Sequence, residues 1–410
     1  MKATTTMIMV LSMVMLGTGV GQVIAADDVW RIGTILPITG PQAKNGIKNF
    51  DGIKIATDMI NDAGGVLGKK IVLVSADASE PQAAASEANR LITNEKITAI
   101  IGTQSSSLSM AATVVAEQNK VFYIENEGVS GQITGRGFKY IFRTTFSGDM
   151  MATQMVDYAA QVLAPKLKKT AQDLRIAIIH EDGGFGTSTG TALQKHAKSL
   201  SLNVVVVETY SAKTADLSGL VLKLKQAKPD VLLAAQYIND SILFHRQAAE
   251  LRFSTPVIGT TAGQGNPDFY SALTKEAESI LAGGIPAEIS IERLGAEQKA
   301  EAGEFVKRYQ ASHNGEYPNP TSFVGFAGAW ILYKHIMPKA GGLDPEKLRE
   351  AALGLDVPPG KGVLNWGIKF SPPGAPDAGQ NVNASAGISQ WQDGKLKLVF
   401  PKEIATAEAR

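Results

Sequence analysis

The feature of this 410-residue sequence that most constrains its fold is a repeated alternation of short apolar strands with helices that have one apolar face. Arg31 to Leu36 has the pattern of a strand, and the following helix, Phe50 to Asn61, places Ile53, Ala56 and Ile60 on one face. Strands that alternate with helices pair in parallel and form doubly wound sheets. The sequence therefore predicts an α/β fold.

The strand and helix pattern occurs in two successive rounds. The first round ends with the strand from Tyr140 to Thr144, and the second begins near Asp149. The helices after Glu297 are expected to return to the first round, and two short strands between residues 387 and 400 end the pattern. Two rounds predict two lobes, each a mostly parallel sheet flanked by helices, that face each other across a cleft.

Composition excludes several classes of function. The chain is 44% hydrophobic and 19% charged, which is typical of a globular protein, and its net charge of +1 supplies no field for nucleic acid. It has no cysteine, so disulfides and thiolate metal sites are excluded, and its five histidines show no pair at metal-ligand spacing. We therefore expect no metal, no cofactor and no nucleic-acid partner.

The first 26 residues have the pattern of a secretory signal peptide. Lys2 precedes an apolar run from Met7 to Leu16, and small residues follow it. An uncleaved membrane anchor is the alternative, but the run is short for a membrane span and is followed by interrupting glycines. The sequence thus predicts export to the periplasm.

A hydroxyl-rich turn, residues 103–107, follows the apolar strand Ile97 to Ile101 and precedes a helix from Leu108 to Gln118. We call it the serine turn. A helix start presents unpaired N–H groups and the positive end of the helix dipole, so serines there favour a site for a carboxylate or phosphate. The alternative is that one serine only caps the helix.

Ligands of open parallel sheets lie beyond the carboxyl ends of the strands. In the first lobe this rim comprises residues 36–46, 103–107 and 125–130, and in the second lobe residues 181–186, 236–240 and 260–265. The ligand-binding residues that we predict in the first two segments of this rim are Asn45, Gln104, Ser106 and Ser107.

Two motifs could carry other chemistry. Residues Gly186 to Gly190 match the G-x-S-x-G nucleophile elbow, which leaves a hydrolase that uses Ser188 as an alternative. The preceding strand ends near His180, however, whereas an elbow needs the strand to feed the serine turn directly. Glu125 and Glu127 alternate along an extended segment and so point to opposite sides, which puts one of them toward the cleft.

Five segments, in this order, carry a family resemblance: Gly33-Thr34-Ile35-Leu36-Pro37-Ile38-Thr39-Gly40-Pro41, Asn61-Asp62-Ala63-Gly64-Gly65-Val66-Leu67-Gly68, Ile100-Ile101-Gly102, Tyr140-Ile141-Phe142-Arg143-Thr144 and Ile178-Ile179-His180-Glu181. Over nearly all of residues 30 to 401 the sequence resembles the type I periplasmic substrate-binding proteins of ATP-binding cassette (ABC) transporters, of the leucine/isoleucine/valine-binding kind. The resemblance implies two lobes joined by three crossovers that close on an amino acid. It also implies a binding protein, not an enzyme, that delivers this solute to a membrane permease.

The resemblance also assigns expected roles. It implies that Ser106 holds the ligand carboxylate, that the loop with Gly128 and Val129 holds the polar end, and that the aromatic rings of Phe185 and Tyr237 cover the ligand. It implies a first lobe of residues 27–145 and 285–358 and a second of residues 146–284 and 359–410, after a signal peptide of residues 1–26. We expect a monomer.

The sequence departs from the family at the acid that pairs with the ligand ammonium, because Thr261 occupies that position. One hypothesis is that Glu125 or Glu127 replaces the acid and that the ligand is a branched-chain or related amino acid. The other is that the ligand is an aromatic or aliphatic carboxylate, or an amide, that lacks an ammonium and rests on Phe185 and Tyr237. A ligand sensor that docks on a receptor is a further alternative. Ser79 and Ser105 stand where the family has a disulfide.

Overall fold

Two β-sheets, each flanked by helices, make up the computed structural model, which describes residues 29–286, 291, 294–364 and 366–410. The predicted α/β fold is confirmed. The predicted signal peptide, residues 1–26, lies outside the described residues. Within the described part of the chain, no helix has both the length and the apolar character needed to cross a membrane.

The first sheet is parallel throughout, with strand order β2-β1-β3-β4-β5. The second has the order β12-β11-β10-β9-β8-β6-β7, and only its β10–β11 and β11–β12 pairs are antiparallel. The strands are β1 (Val29–Leu36), β2 (Lys70–Asp77), β3 (Ala99–Gly102), β4 (Phe122–Glu125), β5 (Ile141–Arg143), β6 (Arg175–Glu181), β7 (Asn203–Tyr210), β8 (Val231–Ala235), β9 (Val257–Thr260), β10 (Leu281–Gly284), β11 (Gly387–Gln392) and β12 (Lys395–Phe400).

The α-helices pack on both faces of these sheets. They are α1 (Ala43–Asp62), α2 (Pro81–Thr93), α3 (Ser106–Gln118), α4 (Gly131–Thr134), α5 (Gly148–Tyr158), α6 (Ala164–Lys166), α7 (Gly184–Ser199), α8 (Ser218–Ala227), α9 (Ile238–Glu250), α10 (Pro267–Leu273), α11 (Ala296–Ser312), α12 (Pro320–Ile331), α13 (Met337–Ala340) and α14 (Pro345–Leu353). One π-helical turn follows α5 and another follows α12, and a 3₁₀ turn follows α10.

The parallel parts of both sheets share one topology, which fixes where a ligand can bind. The order β2-β1-β3-β4-β5 reverses direction between β1 and β3, and the order β7-β6-β8-β9-β10 reverses between β6 and β8. Such a switch point leaves a crevice at the carboxyl ends of its two strands. The serine turn follows β3, Phe185 follows β6, and Tyr237 follows β8.

The first helix differs from its prediction. It begins at Ala43 instead of Phe50, so the rim segment predicted over residues 36–46 is partly helical. Its glycines are sites of close packing and do not end the helix. A Cβ on Gly52 would lie 2.1 Å from the carbonyl oxygen of Ser322, because α12 packs directly on α1. The hydroxyls of Thr57 and Tyr333 also meet across this contact, at 3.1 Å.

Three short elements carry no periodic pattern that predicts them. Strand β10 consists of Leu-Ala-Gly-Gly and is recognised only by its pairing with β9 and β11. Helices α4 and α10 are similarly short, and α10 follows Asn266, whose side chain accepts the N–H of Asp268. Tertiary contacts, rather than local propensity, produce these elements.

Candidate functional site

A pocket lies between the carboxyl ends of the two sheets and has walls from both. All the predicted binding residues except Asn45 and Ser107 line it, namely Gln104, Ser106, Gly128, Val129, Phe185, Tyr237 and Thr261. The sequence did not single out Phe146, Met151, Ile285, Asn319 and Thr321, which also line it. The last two begin α12, and the Asn-Pro pair at residues 319–320 is a helix-start signal that could have been placed on the rim.

The serine turn forms the floor of the pocket on the side of the first sheet. Ser105 precedes α3 in extended backbone, and its side chain makes no capping hydrogen bond to the helix. Ser106 accepts a hydrogen bond from the Ser130 N–H at 3.1 Å, so its own hydroxyl proton remains to be donated. The first N–H groups of α3 are thus not satisfied by a serine cap, and the geometry is that of an anion site.

Gln104 is held in an unusual conformation beside this turn. Its backbone φ angle of 122° is rare for residues other than glycine, and the residue is only 4% exposed. Its Oε1 atom is buried without a hydrogen-bond partner. Strained backbone and an unpaired buried acceptor both cost free energy, and such features cluster where a ligand completes the site.

Glu125 lies beneath the pocket loop and is fully buried. Its carboxylate accepts backbone N–H groups from Gly128 at 2.6 Å, Glu127 at 3.0 Å and Thr103 at 3.3 Å. Burial raises the pKa of Glu125 to about 7, while the Ser109 side chain, the Gly128 and Glu127 N–H groups and the Arg143 guanidinium act in the opposite direction. Its acceptor oxygens are thus used to hold the loop and do not face a ligand.

Arg143 holds the same loop from its other side. Its guanidinium is also fully buried and donates to the carbonyl oxygens of Ser130 at 2.7 Å and Gly128 at 3.2 Å. It donates further to Gln380 Oε1 at 2.6 Å and to the Thr134 hydroxyl at 3.1 Å. The pocket loop, residues 127–130, is therefore fixed between an internal anion and an internal cation.

Among the described residues that line the pocket, Glu127 is the acidic one. It accepts the Asn49 side-chain N–H at 2.7 Å and the Thr321 hydroxyl at 3.0 Å. Burial raises the pKa of Glu127 to about 7, and these two hydrogen bonds moderate the rise. The structure thus distinguishes the two acids that the sequence left open, because Glu125 supports the loop and Glu127 borders the cavity.

The second sheet supplies the aromatic wall. The ring centroids of Phe185 and Tyr237 lie 4.9 Å apart, and the two ring planes are tilted by 45° relative to each other. Phe185 is in the first turn of α7, whose start is held by Glu181 through the N–H groups of Gly183 and Gly186, both at 2.5 Å. Thr261 lines the pocket but presents no charge, and its hydroxyl accepts the Ile285 N–H at 3.3 Å.

The two predicted residues outside the pocket lining bridge the sheets beside it. The Ser107 hydroxyl accepts the Gly184 N–H at 3.1 Å, and Asn45, in the first turn of α1, accepts from the Asn266 side chain at 3.0 Å. A third bridge joins the Ser188 hydroxyl to the Gly131 N–H at 3.1 Å. Three hydrogen bonds thus join the wall of the first sheet to the wall of the second sheet beside the pocket.

Ser188 lies inside α7 and not at a strand-to-helix turn. A nucleophile elbow exposes its serine at such a turn, so the position of Ser188 argues against the elbow that the sequence left as an alternative at residues 186–190. The hydroxyl is instead an acceptor in a contact between the two walls.

Removal of this contact tests its role. We expect Ser188→Ala to weaken ligand binding about 5-fold, because one cross-wall hydrogen bond contributes about 1 kcal/mol to the closed form. Isothermal titration measures the effect, and Ser199→Ala, at the other end of the same helix, is the matched control. Equal affinities for the two variants would contradict the role.

Comparison with known proteins agrees with this geometry. The model of the family described as "Periplasmic binding protein" matches residues 29–391. A Leu/Ile/Val-binding protein homolog 8 from Brucella melitensis is 33% identical over 408 residues, which cover 98% of this chain and 99% of that protein.

Two solved structures share the fold. A leucine-binding protein from Thermotoga maritima is 23% identical with a TM-score of 0.76, and the match covers 90% of this chain and 97% of that one. A solute-binding protein of an ABC transporter from Rhodopseudomonas palustris, in complex with 3,4-dihydroxybenzoic acid, is 23% identical with a TM-score of 0.73, over 90% and 95% of the two chains. The chain therefore belongs to the type I periplasmic binding protein family, as a relative of the Leu/Ile/Val-binding proteins.

Proposed function

We propose that this protein is the solute-binding component of an ABC importer and that it binds a branched-chain amino acid or a related small carboxylate. The observation that carries the proposal is the pairing of an uncapped helix start at Ser106 with an aromatic wall at Phe185 and Tyr237. The helix start suits a carboxylate, and the aromatic rings suit an apolar side chain. The Leu/Ile/Val-binding homologue supports the amino-acid class.

A second ligand class has an observation in its favour. Thr261 presents no charge from the second sheet, and apolar side chains such as Val129, Phe146 and Met151 line much of the pocket. An aliphatic or aromatic carboxylate without an ammonium would fit these walls. The bound dihydroxybenzoic acid of the Rhodopseudomonas protein is a ligand of this class.

The proposal includes the path of the solute. Family members bind small molecules and work with ABC permeases. We propose export through the predicted signal peptide, residues 1–26, a periplasmic location and delivery to a permease by a monomer. We place the first lobe at residues 27–145 and 285–358 and the second at 146–284 and 359–410. The packing of α12 on α1 and the pairing of β11 with β10 support this division.

A thermal-shift screen tests the proposal. Ligands are leucine, isoleucine, valine, benzoate and the acids that match the amino acids in carbon skeleton. A ligand at 100 times its dissociation constant stabilises a protein by about 2.7 kcal/mol, which raises the unfolding temperature by a few degrees. We expect a branched-chain amino acid to give the largest shift. Absence of any shift, together with ester hydrolysis that is lost in Ser188→Ala, would contradict a binding protein.

A further inference from the structure

The wall of the pocket formed by the first sheet carries an acidic group with no cation beside it. Glu127 borders the cavity, and no lysine, arginine or histidine is among the described residues that line it. Its protein partners are Asn49 and Thr321, which are neutral donors. The internal acid Glu125 adds negative charge, and the buried guanidinium of Arg143 is committed to the loop carbonyls. Among the described residues, the lining of the pocket thus includes one acidic side chain and no cationic side chain.

We propose that Glu127 and Gln104 form the binding site for a protonated amine of the ligand, on the wall opposite Thr261. This inference rests on the proposed function, because the Ser106 turn is taken to hold the ligand carboxylate. The pocket then selects solutes that carry both a carboxylate and an ammonium. The position that pairs with an ammonium has moved from the second sheet to the first.

The hydrogen-bond capacity of Glu127 supports this site. A carboxylate has two oxygens with about four acceptor positions, and the protein fills one on each oxygen. The Asn49 and Thr321 bonds fix the carboxylate against α1 and α12 while the remaining positions stay available. A ligand ammonium, with several N–H donors, fits this remainder.

Gln104 supplies an independent acceptor beside the acid. The Gln104 side chain lines the pocket together with Glu127 and acts to lower the pKa of that acid. Its amide oxygen is buried without a hydrogen-bond partner. A ligand N–H would satisfy it, whereas a ligand with only acceptors would leave it unpaired.

The test compares ligands that differ only by the ammonium. Leucine is paired with 4-methylpentanoate, and valine with 3-methylbutanoate, by isothermal titration near pH 8. We expect the wild type to prefer each amino acid, and Glu127→Gln to weaken amino-acid binding about 30-fold while it changes binding of the acids less than about 3-fold. The matched control is Asp240→Asn, which alters a buried carboxylate bonded to Tyr210 that does not line this pocket.

A folding control accompanies the variant. Glu127→Gln is isosteric, and burial raises the pKa of the acid that it removes. The carboxylate therefore opposes folding above its ordinary pKa, and the ligand-free variant should unfold at an equal or higher temperature than the wild type at pH 8. A reduced affinity for amino acids then reports a lost contact rather than a damaged fold.

The pH profile gives a second readout. The titratable side chains that interact with Glu127 are Glu125 and Tyr237, and burial keeps the pKa of Tyr237 well above its ordinary value. As Glu127 loses its proton between about pH 6 and pH 8, the preference for leucine over 4-methylpentanoate should rise several-fold. The ratio of the two affinities removes effects that both ligands share, and in Glu127→Gln it should stay constant.

Three results would overturn the inference in different ways. If the wild type binds the acids at least as tightly as the amino acids, the site selects against an ammonium while the proposed binding function stands. If Glu127→Gln weakens both members of each pair equally, or weakens neither, the acid does not contact an ammonium. If the wild type binds neither class, the proposed function fails and the inference fails with it.

Discussion

Replacement of Arg143 by methionine is expected to lower the free energy of unfolding by about 3–5 kcal/mol and to abolish measurable ligand binding. The guanidinium is fully buried and satisfies the carbonyl oxygens of Gly128 and Ser130. Methionine fills similar space but leaves these oxygens and the Glu125 carboxylate without their cationic partner. The pocket loop then loses one of the two groups that hold it. Urea unfolding and isothermal titration measure the two effects.

The loss should depend on pH. Burial already raises the pKa of Glu125 to about 7, and removal of the guanidinium would raise it further. At low pH the carboxyl takes up a proton and avoids an unpaired buried charge, so the destabilisation should be smaller near pH 6 than near pH 9.

Arg31→Met is the matched control for Arg143→Met. Arg31 pairs with Glu95 at the protein surface, where an ion pair contributes at most about 1 kcal/mol. Similar losses for the two variants, or a loss at Arg143 that does not change with pH, would contradict the account of the loop.

Truncation of Phe185 to alanine is expected to weaken ligand binding about 100-fold, which corresponds to about 2.7 kcal/mol. The ring lines the pocket, is almost fully buried and packs on Tyr237 at 4.9 Å. Its loss removes apolar contact with the ligand and leaves the second ring without support. Isothermal titration against the best ligand of the screen measures the change.

Phe185→Leu separates the contribution of apolar volume from a general disturbance of α7. Leucine keeps most of the apolar surface, and we expect it to weaken binding less than about 10-fold. An alanine variant that binds as tightly as the wild type would show that the aromatic wall does not contact the ligand.

The architecture could be predicted from the sequence because hydrophobic periodicity reports it directly. The strand and helix alternation identified α/β sheets, and strand ends identified the rim on which Gln104, Ser106, Phe185 and Tyr237 lie. The start of α1 was predicted too late, at Phe50, because Gly46 resembles a helix breaker, whereas Gly46 and Gly52 both lie inside the helix. Their role is to let Pro37 and Ser322 approach closely, which only the tertiary structure shows.

The finer geometry of the site depends on contacts between distant parts of the chain. Glu125 and Glu127 are equivalent candidates in the sequence, and they differ only because the loop turns one toward Arg143 and the other toward Thr321. Asn45 and Ser107 lie on the predicted rim but bridge the two sheets instead of lining the pocket. Asn319 and Thr321 enter the pocket from a helix far along the chain. Local sequence patterns carry no information about contacts between residues that are far apart in the chain.

The central claim is that the helix start at Ser106 holds a ligand carboxylate. The most direct test is the affinity of Ser106→Ala for the best ligand of the screen, measured with its free energy of unfolding. We predict that affinity falls about 10- to 30-fold, because a hydrogen bond to a charged group contributes about 1.5–2 kcal/mol. The free energy of unfolding should fall by only about 1 kcal/mol, because the Ser130 N–H loses its acceptor. Unchanged affinity together with this loss of stability would show that the hydroxyl only supports the fold, and it would contradict the claim.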